Sequence, residues 1–214
     1  MRFLDKVAYY FPYFFLGHLI GDYVLQNGYI AAKKGKDLRV LGLHILLVYI
    51  SQLLVLIGKQ FGLREFTVVS CLGVVHFGID YLKFLCKGKF CRTWYYYIID
   101  QMMHMATLLL STQFINVQPF LNRTFVVVLS ISIFNGYFLS ILVHFIVSNG
   151  IYKRDYVGYL FRMVAPLFYF FNVYSFIIYA LSCLILITLR FSKSNLLNYL
   201  LTFISTIILM EVML

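Results

Sequence analysis

Residues 66–86 read FTVVSCLGVVHFGIDYLKFLC, a run long enough and apolar enough to cross a bilayer, interrupted by His76, Asp80 and Lys83. A spacing of four puts His76 and Asp80 on one face of an α-helix, about 6 Å apart along its axis. A charge at the bilayer centre costs at least ~2.5 kcal/mol, so such residues face a protein interior and meet partners there. The same pairing recurs in two other apolar segments, as His18-x-x-x-Asp22 and, reversed, as Asp100-x-x-x-His104. Three of the chain's six aspartates and three of its five histidines are used this way, which marks a buried polar site.

The whole composition agrees with a membrane setting. Hydrophobic residues make up 62% of the 214 residues and charged ones 12%, far from a soluble balance. The 22 Phe and 18 Tyr suit a bundle with many helix ends at lipid head groups. A formal charge of +10 is spread over short loops, as membrane topology signals are, and this excludes nucleic acid as the partner. Cys71, Cys86, Cys91 and Cys183 have no C-x-x-C spacing, and Cys86 and Cys91 flank a basic loop. That arrangement predicts free thiols on a reducing, cytosolic side. The N-terminal apolar run, broken by Pro12, Gly17, His18 and Asp22, does not read as a cleavable signal peptide.

The fold expected is all-α, a polytopic transmembrane helix bundle of six or seven spans. The spans fall at about 7–27, 40–58, 66–86, 94–113 and 124–147, then one within 163–189 and one at 196–214. Glu211 weakens the last, and Lys153, Arg154, Asp155 and Arg162 give 150–165 an interfacial character. Residues 1–113 form a four-helix core with the polar site, and 114–214 add further helices of the same membrane domain. Lys33, Lys34, Lys36 and Arg39, then Lys87, Lys89 and Arg92, then Lys153 and Arg154 enrich alternate loops. Positive-inside reasoning puts those loops in the cytoplasm and the N-terminus outside, against the pull of Arg2 and Lys6.

Depth links topology to chemistry. His18, Asp22 and Gln26 lie late in the first span, and His44 early in the second. His76, Asp80 and Lys83 lie late in the third; Asp100, Gln101 and His104 lie early in the fourth. Alternating direction carries all four sets to the leaflet of the basic loops. Inward histidines and carboxylates from four helices are how helix bundles build metal sites. Imidazole with carboxylate suits a divalent transition metal, zinc first and Mn or Fe next, and argues against Ca or Mg. Seven candidate ligands (His18, His44, His76, His104, Asp22, Asp80 and Asp100) exceed one four-coordinate zinc. Either some aspartates orient imidazoles, or two ions share the site.

Plainer readings stand beside this one. A single His–Asp pair is often a structural hydrogen bond, and chains of such pairs also relay protons. His144, with no acidic neighbour at helical spacing, reads as an ordinary packed residue. Tyr95, Tyr96 and Tyr97 read as an interfacial belt, Met102, Met103 and Met105 as lipid-facing or filler. Lys83 reads as snorkelling to the head groups, or, one turn beyond Asp80, as recognising phosphate. Gly17, Gly21, Gly73 and Gly78 flank the histidines and allow close helix approach.

The ordered motifs His18-x-x-x-Asp22-x-x-x-Gln26, His44, His76-x-x-x-Asp80-x-x-Lys83 and Asp100-Gln101-x-x-His104 resemble the bacterial membrane family called domain of unknown function 3307. The resemblance covers about residues 10–110 without departure at those positions, and implies a multi-pass protein of the bacterial inner membrane. The family name carries a motif and not a reaction. A more distant analogy, in intramembrane His and Asp, is to membrane-bound metal-dependent hydrolases.

The reading is therefore a membrane metalloprotein, a metal-dependent hydrolase acting on a lipid or membrane-delivered substrate near the cytoplasmic leaflet. His18, His44, His76 and His104 would hold metal; Asp22, Asp80 and Asp100 would be ligands or the catalytic base. Gln26, Gln101 and Lys83 would orient substrate, and the basic surroundings favour an anionic lipid head group. The alternatives are a proton or metal-ion transporter using the same set, and a non-catalytic sensor with a protein partner on the C-terminal spans.

Overall fold

The computed structural model describes residues 2–147, 155–189 and 191–214. Lys153 and Arg154 of the third basic loop lie outside the described residues, as does the side chain of Arg92. The chain forms two compact units, Met1–Val126 and Val127–Leu214.

In the first unit, α1 (Phe3–Leu19) runs into a π-helical turn, Ile20–Val24, then a short α2 (Gly28–Lys33) and α3 (Leu38–Leu56). α4 (Leu63–Leu85) and α5 (Trp94–Ser111) follow. α1 packs on α3, α3 on α4, α4 on α5 and α5 back on α1, closing a four-helix ring. Neighbours are antiparallel. A Cβ on Gly17 would meet Gln52, whereas one on Gly21 would meet Val48, so the α3 register falls as that of α1 rises. Likewise Lys83 meets Asp100 while Asp80 meets His104.

Helix ends follow local chemistry. Asn27 caps α2 by accepting from the Ile30 amide at 2.9 Å, and Asp37 accepts from the Arg39 amide at the start of α3. At the opposite end of the ring, β1 (Gly58–Lys59) pairs with β2 (Gln118–Pro119), a two-residue bridge beyond the all-α expectation. Glu65 accepts from the amides of Gly62 and Asn116 there, and Lys6 donates to the carbonyls of Gln113 and Ile115. Leu43, Leu46, Ile50 and Leu54 on α3, with Val74 and Leu82 on α4, point outward. An apolar exterior around a polar centre inverts the soluble pattern and fits hydrocarbon.

Four helices among the described residues are long and apolar enough to cross a membrane: α3, α4, the stretch Arg123–Val147, and Lys193–Met213. Arg123–Val147 comprises α6 (Arg123–Ile133), a π turn at Phe134–Phe138 and α7 (Leu139–Val147). Within 163–189, where one span is expected, lie the second part of α8 (Tyr156–Phe171) and all of α9 (Val173–Leu189), both shorter than the four long apolar helices. Asn172 separates α8 from α9 with extended backbone, and its side chain accepts from the Ser175 amide. α8 is about 24 Å long at 1.5 Å per residue, short of a ~30 Å hydrocarbon core. It folds back on α9, with the Tyr179 hydroxyl donating to the Phe161 carbonyl at 2.8 Å. α10 (Lys193–Met213) packs on α7, α8 and α9. Asn135, in the π turn, joins Thr206 and Ser205 of α10 by side-chain hydrogen bonds of 2.8 and 2.6 Å.

Two expectations are corrected. Cys86 and Cys91 form a disulfide, their Cα atoms 6.1 Å apart. The short 3₁₀ turn Lys89–Arg92 folds Cys91 back within bridging distance, which spacing alone did not reveal. Disulfides are rare in reducing compartments, so this bridge argues against the cytosolic side that loop charge favours. Gly78 does not serve close packing, because a Cβ there meets nothing within 4 Å.

Candidate metal centre

Every one of the seven predicted ligands points into the ring, and none is more than 6% exposed. Asp22 lies inside the π turn of the first helix, where the expected continuous α-helix is locally wound wider. π turns of this kind frequently accompany functional sites. His18 Nε2 stands 3.8 Å from Asp22 Oδ2. Asp22 Oδ1 stands 3.5 Å from both His44 Nε2 and His76 Nε2. Asp80 uses both oxygens. Its Oδ2 lies 3.1 Å from His44 Nε2 and 3.8 Å from His76 Nε2, and its Oδ1 lies 3.6 Å from His104 Nε2. His104 Nε2 is also 3.9 Å from Asp100 Oδ1.

These separations are informative because most are too long for hydrogen bonds, whose N···O distance is about 2.7–3.2 Å. Two donors bound at about 2.0–2.2 Å to one tetrahedral ion stand about 3.3–3.6 Å apart. The cluster clusters around that spacing. Nε2 of His18, His76 and His104, with Asp22 Oδ1 and Asp80 Oδ2, are enclosed and make no well-formed hydrogen bond. Leaving one such group unsatisfied costs about 1–3 kcal/mol, and more for a charge. Three sets of three donors each fall within 4.8 Å: His18, His76 and His104; Asp22, His44 and His76; and Asp80, Asp100 and His104. The donor set fits a divalent transition ion. His76 and His104 each belong to two sets, which joins the three into one centre, and Asp80 reaches His44, His76 and His104.

Around the donors runs a hydrogen-bonded frame. Gln101 donates to Asp100 Oδ2 at 3.2 Å and accepts from the Tyr23 hydroxyl at 3.0 Å, which pairs with the Tyr97 hydroxyl at 2.8 Å. Lys83 does not snorkel away: its Nζ donates to Asp100 Oδ2 at 2.6 Å, while a third of its side chain stays exposed. Tyr97 is buried, whereas Tyr95 is exposed. Tyr97, Gln101 and His104 follow the i, i+4, i+7 stripe of one helix face, the signal that separates it from its neighbours. Gln26 is half-buried on the segment linking α1 to α2, and a substrate-orienting role for it rests on sequence alone.

Lys34, which reads in the sequence as loop charge, reaches the site. Its Nζ lies 3.0 Å from His44 Nε2 and 3.6 Å from Asp80 Oδ2. Ile30 is the buried anchor of α2, and Lys34, four residues on, shares its face. That spacing distinguishes it from Lys33, which instead lies over the Tyr29 ring. The ammonium thus holds positive charge against two donors a metal would use. Lys34→Met is expected to raise metal affinity by about tenfold, equivalent to about 1.4 kcal/mol. Competition against a chromogenic chelator measures this, and an unchanged affinity would remove Lys34 from the site.

Comparison with curated proteins and with solved structures gives no match. Residues 10–132, more than half of the chain and all seven donors, match the family described as protein of unknown function (DUF3307). The chain belongs to that family.

Proposed function

We propose that this protein is an integral membrane metalloenzyme whose ring would hold two divalent transition-metal ions, zinc in the first place, through His18, His44, His76, His104, Asp22, Asp80 and Asp100. The carrying observation is the set of enclosed, unbonded imidazole and carboxylate atoms at metal-ligand spacing. One lobe comprises Asp22, His44, His76 and Asp80; the other comprises Asp80, Asp100 and His104, with His18 beside them. α1 with its π turn, and α5, complete the membrane bundle, since each packs antiparallel along spans long enough to cross.

The reaction we infer is hydrolysis of a lipid or membrane-delivered substrate at the membrane face carrying the site. Divalent ions here supply Lewis acidity to an ester or phosphoryl group and to water. The chain's own groups supply the rest. Asp22 or Asp100 takes the proton of the attacking water, and Lys83, partly exposed and bonded to Asp100, meets an anionic head group. Gln101, tied to Tyr23 and Asp100, holds that carboxylate in orientation.

Hydrolysis is favoured over transport by what lies beneath the donors. The space lined by Val69, Leu72, His76 and Leu108 measures about 10 Å³, less than one water's room. Val55, Leu56 and Val69 are also buried on the two central helices. Gln52 and Tyr49 line the same small space, and Gln52 is tied down by donating to the Phe14 carbonyl at 2.9 Å.

Elemental analysis of the purified protein tests the reading. Two equivalents of transition metal are expected in the wild type, with at least one lost in His76→Ala. Absence of metal after reconstitution with zinc, manganese and iron would overturn it. Metal without release of water-soluble product from any labelled membrane lipid would leave the centre and refute the hydrolase.

A further inference from the structure

The second unit buries a charge that the metal centre does not use. Arg162, placed by sequence in an interfacial stretch, is 1% exposed on α8. It lines a polar pocket of about 90 Å³ with Ser140 and His144 of α7, Asp155 at the start of α8, and Asn195 and Asn198 of α10. Each helix contributes at one-turn spacing: Ser140 with His144, and Asn195 with Asn198. Three helices therefore aim polar groups at one small volume.

Position and chemistry indicate what fits. Asp155 precedes α8, Ser194 and Asn195 open α10, and His144 lies in the last turn of α7, so the pocket sits at helix ends. Helix ends of a membrane bundle lie at head-group depth. The Arg162 guanidinium donates to Ser140 Oγ at 2.8 Å, which fixes its plane. Asp155 stands 3.9 Å away, beyond hydrogen-bond length, and its side chain is 54% exposed, so water weakens the pairing. Gly158 lets these two groups approach above α8, since a Cβ there would fall 2.0 Å from Asp155 Oδ2 and 2.7 Å from Arg162 Nη1. The Asn198 amide oxygen is enclosed in the pocket's wall and makes no hydrogen bond. Turning the amide over presents its NH₂ group to the same space. A volume of 90 Å³ equals about three waters, room for one tetrahedral oxyanion.

We infer that the pocket formed by Arg162, Asn198, Asn195 and His144 is a second ligand site, taking a phosphate group of the kind carried by membrane lipids. The guanidinium supplies charge and fork-shaped donors, as it does in phosphate recognition generally. The amides of α10 supply neutral donors from the other side.

Thermal unfolding of the full chain in a zwitterionic detergent tests the site with three probes: short-chain phosphatidic acid, inorganic phosphate, and short-chain diacylglycerol. Phosphatidic acid is expected to raise the midpoint and diacylglycerol to leave it unchanged. A comparable rise with inorganic phosphate would identify the free ion as a source; a rise with the lipid alone would identify the head group. In Asn198→Leu, which fills the pocket and keeps the buried charge, apparent affinity is expected to fall about tenfold or more, as when a charge-assisted bond is lost. Arg162→Lys should fall similarly, because an ammonium lacks the fork. An equal rise with diacylglycerol, no rise with either phosphate probe, or full binding by folded Asn198→Leu would each overturn the assignment.

Discussion

Asp80→Ala is expected to empty the centre of both ions at once, whereas Asp100→Ala is expected to leave one. The difference follows from how the two carboxylates are placed. Asp80 Oδ2 serves His44 and His76, and Asp80 Oδ1 serves His104, so its loss removes a donor from each lobe. Asp100 touches His104 alone among the imidazoles, and its other oxygen is held by Lys83 and Gln101. Removing even an outer partner of a ligand commonly weakens metal affinity by 10–100-fold, so a shared direct ligand should cost more than about 100-fold. Asp80→Asn separates charge from shape: it keeps one oxygen donor, and should retain at most one ion at reduced affinity. Elemental analysis of the folded variants, with circular dichroism as the check on folding, gives the ratio directly. If Asp80→Ala and Asp100→Ala each lost the same share of metal, the two-lobed arrangement would be wrong.

Much of this centre is legible in the chain because helical spacing and bilayer energetics constrain it together. An imidazole and a carboxylate at positions 76 and 80 can only share a face, and a face with those groups can only turn inward. Late and early placement on alternating helices then fixes a common depth, which is why His18, His44, His76 and His104 meet. What was not legible depended on contacts between segments. The π turn around Asp22 lies where Gly21 packs closely on Val48 of α3, and no local pattern in Ile20–Val24 announces it. Lys34 reads as loop charge until α2 is known to fold back with Ile30 as its buried anchor. The disulfide depends on a turn at Lys89–Arg92 that the four intervening positions do not specify. The break at Asn172 was hidden because hydropathy stays high on both sides of it, and a sum over a window cannot see one extended residue.

Gly21→Leu is expected to prevent the first unit from forming, although it adds an apolar side chain to an apolar helix. Propensity favours the change, since glycine in a helix costs about 1 kcal/mol relative to alanine. Packing opposes it more strongly. A Cβ on Gly21 would stand 2.6 Å from Val48 Cα, a backbone atom of α3 that cannot rotate away. Overpacking by even one or two methylenes in a close-packed core costs about 1–3 kcal/mol, so Gly21→Ala should be net destabilising by up to about 2 kcal/mol and leucine by more. Gly78→Ala, which meets open space, should be neutral or slightly stabilising by the same propensity argument. Thermal unfolding in detergent ranks the variants, and metal content reports the chemical consequence. The α1–α3 crossing that needs Gly21 is the one that sets Asp22 at 3.5 Å from His44. Separating those helices to admit a side chain moves the two donors apart by more than a metal–ligand shell tolerates, ~0.2 Å. A folded Gly21→Ala protein should therefore lose metal affinity out of proportion to its loss of stability, and proportionate losses would mean that the crossing serves stability alone.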